Sequence, residues 1–156
     1  MVGPAHEELE QGLTRVMNVA SITNLQRLSG GASRETWRFV ADNEEFVLQR
    51  VRPGAIGGFQ VEPRVLSAAH RAGVPVAELV VDGAERTELQ SPFMIVRAVE
   101  GETIARKILR DEKFDAARKV LTSQLGVAAA QLHQIDSALE STAKKKEDDT
   151  SSSFTF

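Results

Sequence analysis

The sequence predicts an α+β domain: an N-terminal helix, a five-stranded antiparallel sheet with one helix packed across it, and a helical segment after the sheet. Three observations predict it. Apolar residues near the N-terminus fall at helical spacing, the pattern switches to period two between Ile22 and Leu48, and helical spacing returns from Phe114 to Ile135. At 156 residues and 17.0 kDa the chain has room for one core and too little for two domains of ordinary size.

Leu9, Leu13, Val16, Met17 and Ala20 set the first helix, from about His6 to Ala20. A strand leads into Leu28, and two more lie around Trp37–Val40 and Phe46–Val51, with Asp42 and Asn43 between them as residues that tolerate turn geometry. The loop RPGAIGG precedes a second helix over about Val61–Ala72, in which Val65, Leu66, Ala69 and Ala72 lie on or near one face. Gly73 stands where a helix-ending glycine belongs. VPVAELVVDG reads as a short strand and SPFMIVRAV as a buried one. After Gly101 the chain turns helical again, through Phe114, Ala117, Leu121, Leu125, Ala128, Leu132 and Ile135, and Gly126 inside that helix costs roughly 1 kcal/mol relative to alanine. From Ser141 a basic, an acidic and a serine run follow with few apolar residues, which predicts a disordered tail.

Composition excludes several classes. Aromatic residues are only 5% and tyrosine is absent, so stacking platforms for single-stranded nucleic acid are not expected. A net charge of -3 and a pI near 5.7 lack the basic footprint of a phosphate-backbone binder, so nucleic acid is not the expected partner. Without cysteine there is no disulfide, thiolate metal site or cysteine nucleophile. MVGPAHEELEQ carries acids where a secretory signal carries bases, and no apolar run approaches the ~20 residues that span a bilayer, so a soluble, cytoplasmic protein is expected.

The stretch LSGGASRETWRF, residues 28–39, carries the chemistry. Between two strands, Gly30, Gly31, Ala32 and Ser33 let backbone N–H groups approach an anion, with Arg34 adding charge; the same residues also suit a plain hairpin turn. A triphosphate cradle further needs a strand cation and a helix carboxylate that fixes it. FVLQRVRP offers Arg50, and the next helix begins with Glu62.

GGASRETW, FVLQR, EPRVLSAAHRAGVPV, PFMIVRAVEG and AAAQLHQID, in this order over about residues 20–136, resemble the N-terminal part of the aminoglycoside phosphotransferase family of kinase-like enzymes. Within it the resemblance is closest to the phosphotransferases related to kinase domains fused to some acyl-CoA dehydrogenases. The resemblance implies a protein-kinase-like nucleotide-binding lobe over residues 1–100, the helical start of a C-terminal lobe over 101–140, and a tail over 141–156. It implies ATP and Mg2+ as cofactors of the complete enzyme and a small-molecule hydroxyl as acceptor. Gly30, Gly31, Ala32, Ser33 and Arg34 then match the loop over the phosphates, and Glu62 the helix carboxylate. Backbone groups near Arg97 and Val99 would bond the adenine edge with Val96 close to the adenine pocket, while Met94 and Ile95 pack the core.

Three departures qualify this. The family's lysine or arginine commonly follows three apolar strand residues, and after Phe46, Val47 and Leu48 that place holds Gln49; Arg50, one later, faces the other way on an ideal strand unless a bulge or register shift intervenes. Arg50 is preferred because phosphate favours a cation, the other reading being a solvated strand arginine. Pro63 biases Glu62 away from helical geometry, which makes Glu62 a cap residue in place of a full ion-pair partner. After LHQID nothing matches the family's catalytic loop or metal-binding aspartate, so no catalytic or metal residue is expected in this chain. His133 reads as a helix-packing residue, and His6 and His70 have no partners spaced for a metal.

The expectation is the ATP-binding lobe of a small-molecule phosphotransferase, truncated before its catalytic loop, binding nucleotide weakly and inactive alone. The other readings are a non-catalytic interaction or regulatory module, or an unrelated α+β domain whose glycine loop is only a turn. Pairing of Arg50 with Glu62 beneath Gly31 would favour the first. Exposed Leu121, Leu125 or Leu132 would favour self-association.

Overall fold

Residues 4–30, 33–52, 54–55, 58–59, 61–86 and 88–135 are described by a computed structural model. The expected tail, and Gly31 and Ala32 of the glycine loop, lie outside the described residues. Contacts divide the chain into two units, Met1–Leu66 with Ala77–Val99, and Ser67–Val76 with Glu100–Phe156.

The first unit holds helix α1 (Pro4–Met17) and strands β1 (Ile22–Gly30), β2 (Arg34–Ala41), β3 (Glu44–Val51), β4 (Leu79–Gly83) and β5 (Phe93–Arg97). All neighbours run antiparallel, in the order β1-β2-β3-β5-β4, which is the five-stranded sheet expected. The β2–β3 hairpin closes on Asp42 and Asn43, both with positive φ (47° and 66°), the paired left-handed geometry of a two-residue turn whose twist matches the strands. β1 is irregular, with register shifts between Thr23 and Gln26, where Asn24 takes positive φ, and between Arg27 and Ser29.

One face of the sheet is covered by α1. Leu9 and Leu13 join Phe39, Phe46, Leu48, Phe93 and Ile95 in a buried core, with Phe39 and Phe46 stacked at 5.6 Å between centroids. Gly12 permits a close approach there, because a Cβ at that position would meet Leu89 Cδ2 at 2.6 Å. The opposite face carries a smaller cluster of Val51, Phe59 and Met94, flanked by Ala55, Leu79 and Ala84. β5 lies between β3 and β4, and Phe93 to Val96 are all buried, as its apolar run predicts. β4 is shorter than VPVAELVVDG suggests, since it begins only at Leu79, and Val74 instead closes the cap that follows the preceding helix.

That helix, α2 (Glu62–Arg71), stops as Gly73 takes φ 77°: Gly73 N–H donates to His70 C=O and Val74 N–H to Ala69 C=O, both at 3.0 Å. Ala69 and Val74, the apolar residues bracketing this cap, are both buried. In the second unit, α3 (Ala105–Arg110) and α4 (Asp115–His133) are separated by extended Asp111 and a 3-10 turn at Glu112–Phe114. The Arg118 guanidinium bridges this break, donating to the Ile108 and Asp111 carbonyls at 2.8 and 2.9 Å. No residue of α4 is buried, and Leu121, Leu125 and Leu132 are exposed. His133 is exposed in its last turn and is not the packing residue expected. Among the described residues no helix is long and apolar enough to cross a membrane.

Candidate functional site

The glycine loop leaves β1 at Gly30 and enters β2 at Arg34, and Gly30 lies opposite Glu35 in the ladder. Ser33 is exposed, and its carbonyl accepts a 2.9 Å bond from Arg52 N–H, which ties the end of the loop to the residue after β3.

Arg34 is the cation that meets Glu62. Its Nη1 donates to Glu62 Oε1 at 2.8 Å and its Nη2 to Oε2 at 2.6 Å, a two-pronged pair. A further Nη2 bond reaches the Gly58 carbonyl at 3.2 Å, and the guanidinium rests 4.3 Å above the buried ring of Phe59. The Arg34 hydrogen bonds hold the Glu62 carboxyl below its usual range, partial burial opposing them, and Glu62 in turn raises Arg34.

Glu62 is thus a full ion-pair partner, which corrects its reading as a cap. Val65 N–H donates to the Val61 carbonyl, so the helix is already under way at Glu62, and Pro63 sits in the first turn, where its missing N–H goes unneeded.

Arg50 does not pair with Glu62, which is the main correction to the expected site. The β2–β3 and β3–β5 ladders run through residues 46–50 without a shift, so no bulge turns Arg50 round. Phe46 and Leu48 face α1 in the core, and by alternation Arg50 shares their face. It pairs there with its cross-strand neighbour, buried Glu35, and donates to the Leu89 carbonyl at 3.3 Å. Arg27 of β1 reaches the same carboxylate at 3.3 Å. Neither is Arg50 the solvated strand arginine of the other reading, since its side chain is only 12% exposed.

Gln49 lies on the opposite face, across from Thr36 and Met94, beside Val51, whose cross-strand partner is Arg34. Val47 and Val96, paired in register, share this face, and Val96 is buried. Arg97 N–H is taken by the Glu78 carbonyl and Ala98 N–H by that of Glu45, both at 2.9 Å; the next donor along the chain belongs to Val99, which is exposed. The Arg97 side chain bonds Glu44 and Glu78 at 2.7 and 2.9 Å. Met94 and Ile95 pack into the two clusters as expected. Among the described residues no three acidic or histidine side chains gather as metal ligands.

A cavity of about 560 Å³ lies beside Phe59, lined by Gly58, Arg64, Asp82, Ala84, Glu85 and Arg86. A second, of about 200 Å³, is lined by Arg50 with Leu9 and Arg15 of α1, and lies on the other face.

The sequence reading missed Phe59 and Glu35. Glu35 was legible in part, since it stands two residues before Trp37 and four before Phe39, on their face of β2.

No curated protein matches the chain significantly in sequence. Two solved structures resemble it. Aminoglycoside phosphotransferase APH(4)-Ia matches with a TM-score of 0.55 at 17% identity, over 82% of this chain and 40% of its own. A Ralstonia eutropha JMP134 protein, provisionally classed as an aminoglycoside phosphotransferase, matches with a TM-score of 0.48 at 20% identity, over 59% of this chain and 28% of its own. The chain thus spans less than half the length of either. The likeness to APH(4)-Ia is one of fold, that of the kinase-like aminoglycoside phosphotransferases. The model of the phosphotransferase enzyme family matches residues 24–150, most of the sequence, and the chain belongs to that family.

Proposed function

We propose that this chain is the ATP-binding lobe of a small-molecule phosphotransferase, with the glycine loop over the phosphates and the transferable γ-phosphoryl group passing to a substrate hydroxyl. The observation that carries this reading is the Arg34–Glu62 pair: an oriented guanidinium at the end of a glycine-rich loop, fixed by the first carboxylate of the following helix. The residues fit a polyphosphate. Gly30 and Ser33 flank a loop whose small residues let N–H groups approach phosphate oxygens, and Arg34 adds a planar donor that suits them. Val99 N–H and the Arg97 carbonyl are the backbone groups assigned to the adenine edge, beside Val96. Bound ATP supplies the phosphoryl group; this chain's residues hold and orient it.

Magnesium does not fit the described residues, which gather no carboxylate set. The aspartates of metal binding and catalysis belong, in this reading, to a further lobe of a complete enzyme. The acceptor contacts belong there too. The row Leu121, Leu125 and Leu132 on α4 makes this chain prone to self-association, which light scattering across a dilution series reads directly.

Thermal melting with and without Mg-ATP tests nucleotide binding. A ligand that binds only the folded chain at about ten times its Kd adds about 1.4 kcal/mol of stability. An unchanged melting temperature at millimolar ATP and ADP would overturn the reading and favour the interaction module.

A further inference from the structure

The strand position that follows Phe46, Val47 and Leu48 is neutral in this chain, since it holds Gln49. The residue beyond it is a cation turned to the other face and engaged with Glu35. A lobe that binds phosphate still needs positive charge on the Gln49 face, and Arg34 provides it. Arg34 lies opposite Val51 and Gln49 opposite Thr36, so Arg34 and Gln49 are diagonal neighbours on one face of the hairpin, within reach of long side chains.

Building on the nucleotide reading above, we propose that Arg34 is the phosphate-contacting cation of this lobe, relocated from the middle of β3 to the first residue of β2, and that neutral Gln49 leaves Glu62 free to orient it. A guanidinium has five N–H donors. The Glu62 oxygens and the Gly58 carbonyl engage three of them, and two are left for an anion. The two-pronged bond to Glu62 fixes the plane of the group over the Phe59 ring, so those two donors are offered in a set orientation. A second arginine at position 49 would reach for the same carboxylate and leave Arg34 without its orienting partner.

Relocation also has a mechanical result. A cation in the middle of β3 ties a strand to α2, whereas Arg34 is bonded in sequence to Ser33 and therefore ties the end of the glycine loop to α2. Phosphate binding at Arg34 and the position of the loop are coupled through one side chain.

Calorimetric titration of the full chain with ATP, ADP and adenosine tests this, using the wild type, Arg34→Gln, Arg34→Lys and the exchange Arg34→Gln/Gln49→Arg, with a denaturation curve for each. Arg34→Gln is expected to weaken ATP and ADP at least about tenfold while adenosine binds as before. Arg34→Lys, which keeps the charge and loses the fork, falls between, and the exchange recovers most of the loss. ADP binding unchanged in Arg34→Gln, an equal loss for adenosine, or an exchange no better than Arg34→Gln would each overturn the relocation while leaving the nucleotide reading standing. A wild type that binds none of the three ligands overturns both.

Discussion

Arg34 and Glu35 are adjacent in sequence and hold ion pairs on opposite faces of the same sheet, and the two pairs are built differently. On the α1 face, Glu35 and Arg50 are 8% and 12% exposed, and Arg27 adds a second cation to the same carboxylate, so β1, β2 and β3 are pinned together at the base of the glycine loop. On the other face, Arg34 and Glu62 are 38% and 46% exposed, and the pair joins a strand to a helix. Removing one member of a buried pair strands a charge away from water, whereas an exposed pair adds little to stability. The first pair is therefore a structural staple, and the second leaves donors available to a ligand.

The largest expected effect breaks the staple. Glu35→Ala leaves Arg50 buried without its carboxylate and should lower unfolding free energy by about 3 kcal/mol in a urea titration. Replacing both residues with leucine should recover most of that loss. A cost under about 1 kcal/mol for Glu35→Ala would show that the buried pair is not what holds the three strands.

Glycine substitutions separate packed from open surroundings in the same way. A Cβ at Gly83 would lie 2.6 Å from the ring of fully buried Phe93, so Gly83→Ala should cost about 1–3 kcal/mol by thermal or chemical denaturation. A Cβ at Gly126, inside α4, meets nothing within 4 Å, so Gly126→Ala should stabilise that helix by roughly 1 kcal/mol. Equal effects of one sign would break the contrast.

Arg34→Gln should change stability by less than about 1 kcal/mol in the same titration. A loss as large as that of Glu35→Ala would make Arg34 a structural residue like its neighbour.

The smallest effect is one of pH. The pair holds the Glu62 carboxyl lower in the folded chain than in the unfolded one, so in acid the unfolded state takes up the proton first. The contribution of the pair is complete above about pH 4.3, the ordinary glutamate value, and fades as pH falls through the lowered folded value. The stability difference between wild type and Glu62→Gln should shrink over that interval, and a difference constant down to pH 3 would show that the carboxylate is not what Arg34 recognises.

Much of the fold was legible because its signals are local. The cap at Gly73 needs one glycine between two apolar residues, the turn needs Asp42 and Asn43, and buried β5 needs an apolar run. The site was legible only in its parts. Gly30 to Arg34 and Glu62 were singled out, but the pairing depended on which face each residue occupies. Phe46 and Leu48 already carried that information: both belong in a core, and Arg50 has their parity. Preferring a cation over alternation led to the wrong partner for Glu62. The Phe59 platform arises from a residue 25 positions beyond Arg34 in a glycine-rich loop, where no periodicity marks which side chain turns inward.

The turn at Asp42 and Asn43 acquires a wider meaning from this. It lies at the far end of the hairpin from Glu62, yet its two-residue length fixes the offset at which β3 lies along β2. The core guards that offset, because a one-residue slip of β3 would send Phe46 and Leu48 outward and swing Arg50 toward the helix carboxylate. The choice between a neutral and a charged neighbour for Glu62 is thus held in two places away from the site, a two-residue bend and the apolar residues of β3.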